Sequence, residues 1–284
     1  MKVAYYPGCS LRGTARDYEQ SIKAVCEMLS IELSEIEDWN CCGATAAHSL
    51  NRKVSIELPA RNIAIAQKSY SEMVVPCPLC FNRLKTAQKE LQSERKEKYE
   101  ISVSDKIRIW DLAQFLAQPN ILNLISEKVQ NHLKDLRVVC YYGCMASRPP
   151  SITDEKQWED PMSMDIILQT LGAEVIQWSH KTDCCGASHL VSRPDLVYEL
   201  VFRLLSQAKK AGADCIVVSC QMCQANLDIP QERILKEKGE NFRIPIIYFT
   251  ELLGISMMYK DCIKWLKKHF VDPMPVLKRY LKRI

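Results

Sequence analysis

The 284-residue sequence contains no run approaching the ~18 consecutive apolar residues of a membrane span. Its opening, Met1-Lys2-Val3-Ala4-Tyr5-Tyr6-Pro7-Gly8-Cys9, lacks the charged leader and apolar stretch of a secretory signal. Both absences lead us to expect a protein kept in the reducing cytoplasm. No Gly-x-Gly-x-x-Gly fingerprint occurs, so flavin is not expected on this chain. Net charge is +4, but the eight Lys/Arg and two Asp from Lys260 onward leave −2 for everything before them. That basic tail has no interleaved base-stacking aromatics, which argues against nucleic acid and for a docking face or a solvated amphipathic helix. With 47% hydrophobic residues the chain has ample core material, and its length gives a prior of two domains.

What is abundant is cysteine. The 14 thiols fall short of the ~8–10% that marks small secreted disulfide scaffolds. In a reducing compartment, clustered thiols more often ligate metal or carry redox chemistry than form disulfides. Their spacing repeats. Cys9 is followed after 31 residues by Cys41-Cys42-Gly43, and after 34 more by Cys77-Pro78-Leu79-Cys80. Cys144 is followed after 39 residues by Cys184-Cys185-Gly186, and after 34 more by Cys220-Gln221-Met222-Cys223. The doublets and final pairs superpose at an offset of 143 and the first cysteines at 135, so an eight-residue insertion separates the copies. Flanks follow the same alignment: Tyr6-Pro7-Gly8-Cys9 with Tyr141-Tyr142-Gly143-Cys144, and Val74-Val75-Pro76-Cys77 with Val217-Val218-Ser219-Cys220.

Both halves alternate strand and helix. Strands are expected at Val3–Tyr6, Ile31–Ile36, Met73–Pro76 and Ile107–Trp110, then at Arg137–Tyr141, Glu174–Trp178, Cys215–Val218 and Ile246–Phe249. Helices are expected from Asp17, across Arg52–Ser69 with an interruption at Pro59, and across Met164–Leu171 and Leu196–Lys210. Asp111 and Thr250 are candidate N-caps, and Lys85–Lys106 reads as exposed helix and loop. This order implies an α/β fold with a parallel sheet in each half. The boundary is expected between Leu116 and Arg137, giving domains 1–130 and 131–284. In both halves the cysteines fall just past carboxyl ends of strands, where open parallel sheets bind ligands.

Five thiols are one too many for tetrahedral zinc, and one too many for a cubane four-iron cluster. Adjacent cysteines diverge from a single metal but suit a larger cluster or a bridge. The glycine after each doublet lets the backbone approach inorganic sulfur and offers an amide donor. Taken alone, each Cys-x-x-Cys resembles a thioredoxin-like dithiol, a reading set aside once it lies inside two intact repeats. Thiolates call for cations, and Arg12, Arg83, Arg148 and Lys181 are the sequence neighbours. Cys26, Cys140 and Cys215 read as small core residues, and Cys262 as an incidental thiol of the tail. His48 and His189 follow the doublets at non-equivalent positions, which argues against a shared catalytic role.

The pattern of Cys, 31 to 39 residues, Cys-Cys-Gly, about 33 residues and Cys-x-x-Cys resembles the cysteine-rich CCG domain. Two copies in one chain resemble the B-type subunit of heterodisulfide reductase and its bacterial homologues, including the carboxyl-terminal His269-Phe270-Val271-Asp272-Pro273. The resemblance implies two tandem Rossmann-like domains and one non-cubane four-iron four-sulfur cluster per motif. The implied ligands are Cys9, Cys41, Cys42, Cys77 and Cys80 for one, and Cys144, Cys184, Cys185, Cys220 and Cys223 for the other. The implied chemistry is reductive cleavage of a disulfide, or the reverse, at the interface, carried by cluster iron rather than by catalytic side chains. The alternative is a subunit that only relays electrons to another chain. Implied partners are a small iron–sulfur subunit of the C type and a flavin-containing subunit of the A type. The insertion, Ser147 to about Asp160, is placed to shape a substrate pocket. Anaerobic iron and sulfide analysis is expected to return about eight irons per chain, whereas zinc in one motif returns about four.

Overall fold

The computed structural model describes residues 1–44 and 46–282. Eight short strands make two wholly parallel sheets: β1 (Lys2–Tyr5), β2 (Glu32–Glu35), β3 (Glu72–Val75) and β4 (Arg108–Asp111), then β5 (Arg137–Tyr141), β6 (Glu174–Val175), β7 (Cys215–Val218) and β8 (Ile246–Tyr248). The orders are β2-β1-β3-β4 and β6-β5-β7-β8, one topology twice, as in tandem Rossmann-like domains. In this order the chain leaves the first strand to one side and returns past it to the third. The crevice beyond the carboxyl ends of β1 and β3, and of β5 and β7, is therefore the switch point at which such sheets bind ligands.

Sequence explains which strands are central. β7, Cys-Ile-Val-Val, is buried along its whole length and β5 along all but its first residue, as expected where helices cover both faces. Cys140 and Cys215 lie here, and Cys26 on the buried stripe of helix Arg16–Met28, so all three are core residues. β2, Glu-Leu-Ser-Glu, is the polar edge.

The halves meet through a reciprocal exchange. Helix Arg16–Met28 of the first half packs on helix Phe249–Ser256 of the second, and helix Ser163–Thr170 of the second packs on helix Leu112–Leu116 of the first. This is the self-complementary logic of a two-fold dimer, here within one chain. Ser21 Oγ lies 2.6 Å from Thr250 Oγ1, Tyr18 Oη donates to the Ser219 carbonyl at 2.9 Å, and the Tyr18 and Tyr248 rings stack with centroids 4.1 Å apart. One continuous apolar core runs from Val3 and Tyr18 through Leu112 to Val217 and Leu253, so neither half is covered without the other.

Several expectations need correction. Pro59 does not interrupt helix Arg52–Ala66, because burial of Ile56, Ala60 and Ile63 outweighs its local penalty. Asp111 caps its helix through Ala113 N at 2.9 Å, but Thr250 does not cap the equivalent one. There Glu251 accepts from Tyr248 N at 2.9 Å, and Thr250 is buried against Ser21. Lys85–Lys106 is exposed mainly from Glu94 onward, where Val103 alone is buried, since Ala87, Gln88 and Leu91 are buried faces of helix Pro78–Gln92. β6 stops at Val175 because Trp178 turns its indole N–H to the Cys140 carbonyl at 2.8 Å. Cys262, read as an incidental thiol of the tail, is fully buried, and the tail helix Met274–Leu281 inserts Leu277, Tyr280 and Leu281 into the core.

The tail is pinned by charge. His269 Nε2 lies 3.0 Å from Glu251 with both side chains fully buried, Asp17 faces the same point, and Asp228 accepts from Phe270 N at 2.8 Å and Val271 N at 2.9 Å. Burial alone would lower the imidazole pKa, but the Glu251, Asp228 and Asp17 carboxylates outweigh it and raise it to about 9. The raised value stabilises the fold fully below the unfolded-state pKa of ~6.5, and that contribution is lost as pH climbs through about 9. Urea midpoints are therefore expected to fall between those pH values, and His269→Gln to flatten that slope while lowering stability.

Candidate metal centre

The two switch points gather the thiols. After β1, Cys9 lies in the short helix Gly8–Arg12; Cys41 and Cys42 occupy the loop after β2; Cys77 and Cys80 flank the start of helix Pro78–Gln92. Cys42 Sγ lies 3.3 Å from Cys80 Sγ, Cys77 Sγ accepts from Cys80 N at 3.4 Å, and Cys41 is adjacent to both Cys42 and Cys9. The second set repeats the arrangement. Cys144 follows β5 and neighbours Cys184, Cys185 and Cys220, while Cys185 Sγ lies 3.6 Å from Cys223 Sγ. These separations far exceed the ~2.05 Å of a disulfide and approach the ~3.8 Å between two thiolates set tetrahedrally 2.3 Å from one ion. All ten thiols are free, and the sets suit metal.

Each set is closed below and open above. Cys42, Cys77, Cys80, Cys185, Cys220 and Cys223 are buried, whereas Cys9, Cys41 and Cys184 are exposed and Cys144 is half-buried. Crowding splits their proton affinities. Hydrogen bonds from neighbouring thiols pull Cys42, Cys77, Cys184 and Cys185 below the usual thiol range, and the same contacts push Cys41, Cys80, Cys144 and Cys223 up. Such a site retains anionic sulfur that a cation can bind.

The doublet loops are shaped by side chains that sequence reasoning passed over. Tyr6 Oη donates to the Asn40 carbonyl at 2.9 Å, and Tyr141 Oη to the Asp183 carbonyl at 2.7 Å, each the residue just before a doublet. The signal was present, since Tyr6 and Tyr141 align between the repeats. Buried Asn62 grips Asn40 by its backbone N–H and carbonyl, both at 2.9 Å. Asn226 holds the carbonyls of Cys185 at 3.0 Å and Ala187 at 2.9 Å. The doublet glycines supply amide donors to a cysteine sulfur: Gly43 N donates to Cys41 Sγ at 3.4 Å and Gly186 N to Cys184 Sγ at 3.3 Å.

The expected cations divide. Arg12 is taken by Glu19 and Glu35, and Lys181, almost fully buried, by Asp160 and Asp165 at 2.7 Å each. Arg148 donates to Thr182 Oγ1 at 2.9 Å and lies over Trp158. Arg83 bears on Cys42 of the first set, helping to hold it anionic, whereas Lys181 bears on the core thiol Cys140. His48 is exposed on helix Ala47–Leu50, while His189 is near enough to Cys184 to help lower it.

The two sets touch across the interface. Gln221, between Cys220 and Cys223, donates Nε2 to Cys77 Sγ of the other set at 2.9 Å. The insertion and the residues leading into it reinforce this junction. Asn82 donates to the carbonyls of Met145 at 3.3 Å and Arg148 at 2.9 Å, Lys85 pairs with Asp154 at 2.6 Å, and Gln114 donates to Glu155 at 3.0 Å. It clamps the second half to the helix that carries Cys80. The groove of about 890 Å³ that it lines with Lys85, Trp110 and Gln114 contains none of the ten cysteines.

Gly186 has φ +86°, and a Cβ there would lie 2.7 Å from Val197 Cγ2. Gly186→Ala is therefore expected to displace Cys184-Cys185 and to remove about half the bound iron, read by anaerobic metal analysis, with the first set unaffected.

The CCG cysteine-rich domain family matches twice, at residues 3–85 and 138–228, spanning both thiol sets. Over 263 residues the chain is 31% identical to the 8-methylmenaquinol:fumarate reductase membrane anchor subunit of Wolinella succinogenes, covering 90% of this chain and 92% of that one. It is 25% identical over 270 residues to the B-type subunit of the ferredoxin:CoB-CoM heterodisulfide reductase of Methanosarcina mazei, covering 90% and 89%. A protein of Archaeoglobus profundus, named for its likeness to the B-type subunit of heterodisulfide reductase, is 24% identical over 272 residues, covering 90% and 91%. A crystal structure of a hypothetical protein from Helicobacter pylori shares the fold, with a TM-score of 0.73 at 13% identity over 95% of this chain; this chain spans 52% of its length. Among the described residues no helix is long and apolar enough to cross a membrane. The chain belongs to the CCG cysteine-rich domain family, carries its domain twice, and is homologous over nine-tenths of its length to proteins named as B-type subunits of heterodisulfide reductases.

Proposed function

We propose that this chain is the iron–sulfur subunit of a heterodisulfide reductase-like complex and that it interconverts a disulfide and two thiols. Cys9, Cys41, Cys42, Cys77 and Cys80 would hold one non-cubane four-iron four-sulfur cluster, and Cys144, Cys184, Cys185, Cys220 and Cys223 the other, in domains dividing near residue 130. The observation that carries this reading is the contact from Gln221 to Cys77, which sets the two thiol sets against one another at the interface. When bound, the clusters supply single electrons, two of which balance the cleavage: a disulfide takes up two electrons and two protons and leaves as two thiols.

The chain's own residues do the rest. The buried cysteines anchor each site from below, and the exposed side at Cys9, Cys41 and Cys184 leaves room for a substrate sulfur. The Tyr6, Tyr141 and Asn62 hydrogen bonds pre-organise the doublet loops, which limits the reorganisation that electron transfer would require of them. Electrons would arrive from a small iron–sulfur subunit and a flavin-containing subunit, in the cytoplasm.

A second reading is favoured by the 31% identity to a subunit of a fumarate reductase, in which the chain relays electrons to chemistry elsewhere. Turnover separates the two. The anaerobically purified chain, loaded with about eight irons, is expected to reduce a small disulfide with a reduced viologen dye. Full loading with no turnover across a panel of disulfides would leave only the relay.

A further inference from the structure

The two thiol sets descend from one motif, yet the polar groups that touch their sulfurs are not duplicated. Inside the Cys-x-x-Cys pair the first copy has Pro78 where the second has Gln221. Three residues beyond its last cysteine the first copy has Arg83 where the second has Asn226.

Gln221 serves the opposite set. Its Nε2 lies 2.9 Å from Cys77 Sγ, while its Oε1 is buried without a partner. Among the described residues that thiol is the amide's sole polar contact, and a thiolate, which only accepts, requires the N–H to face it. Arg83 has no carboxylate partner among the described residues. Its Nε is buried and unpartnered, and its charge bears on Cys42 of the same first set.

The second set has a hydroxyl contact of its own, since Tyr141 bears on Cys185, but it has neither an amide reaching across the interface nor an arginine at the position of Arg83. Asn226 is neutral and spends its N–H groups on the Cys185 and Ala187 carbonyls, with Cys185 Sγ no closer than 3.7 Å. Lys181 is neutralised by two carboxylates. His189 acts on Cys184 from the exposed side, where water and salt screen it. Contributions that both copies share, such as the doublet glycine amides, cancel in the comparison.

A hydrogen bond to a ligand sulfur and a nearby cation both favour the state with one more negative charge, which is the reduced state. We propose that Gln221 and Arg83 make the duplicated sites electrically unequal, holding the Cys9/Cys41/Cys42/Cys77/Cys80 site at a higher reduction potential than its counterpart. A single electron taken from an external reductant then rests in the amino-terminal half, with no bond made or broken. This rests on the two-cluster reading given above.

The test is an anaerobic redox titration of the iron-loaded chain against a graded dye series, followed by EPR, for the parent protein, Gln221→Met, Arg83→Gln and Arg83→Lys. Two separate midpoints are expected in the parent. Gln221→Met and Arg83→Gln are expected to lower the higher midpoint and leave the lower in place, changing the electron's partition by about tenfold, or ~59 mV for one electron. Arg83→Lys keeps the charge and is expected to stay near the parent value. Coincident midpoints in the parent, movement of the lower midpoint, or no movement with about eight irons bound would overturn this proposal alone. Fewer irons in the parent overturn the two-cluster reading itself. Should Gln221→Met fail to load, Arg83→Gln and Arg83→Lys decide the matter.

Discussion

Five sulfur atoms from three loops have to meet at one point in each half without bonding to one another. The rest of the architecture answers that requirement. Thiols 3.3 to 3.6 Å apart repel as they ionise, so the loops that carry them cannot be held by the sulfurs alone. They are held from behind. A tyrosine at the end of the first strand ties down the carbonyl before each doublet, and the final pair is anchored at the start of a helix that packs on the sheet. Close packing leaves no room for a Cβ: at Gly143 it would sit 2.8 Å from Cys223 Sγ.

Duplication then solves a second problem. A four-stranded sheet with helices on both faces exposes apolar surface where the sheet ends, and each half covers the other's through exchanged helix contacts. The same pseudo-two-fold arrangement brings the two Cys-x-x-Cys turns together, which is why Gln221 reaches Cys77. Stability and site proximity are thus consequences of one interface. The insertion after Cys144 adds polar contacts to this seam and breaks its symmetry.

Family membership and geometry agree on an iron–sulfur redox subunit, and the relatives differ in what they are named for: one a fumarate reductase subunit, others heterodisulfide reductase subunits. What can differ is the set of groups touching the sulfurs, and in this chain those groups favour one site over the other.

Most of the fold and all ten clustered cysteines were legible in the linear order of residues. Strand periodicity, the offset of 143 and the position of each cysteine past a strand end are local or repetitive features, and local features survive in one dimension. The exceptions were decided by packing. Pro59 stays helical because its neighbours are buried, Thr250 loses its cap to Glu251, and Cys262 is buried because its own helix, Cys262–Leu266, packs on Arg16–Met28 and Phe249–Ser256. Cation assignment also failed in one dimension. Arg12, Arg83, Arg148 and Lys181 are all near cysteines in the sequence, but carboxylates distant in the chain claim Arg12 and Lys181, and the second half's Thr182 and Trp158 hold Arg148. Gln221 could not have been singled out, since its partner is 144 residues away. The residue pattern by itself singled out the ten clustered thiols; only the folded chain, by choosing which charges are neutralised and which N–H groups reach a sulfur, set the surroundings of the two sites apart.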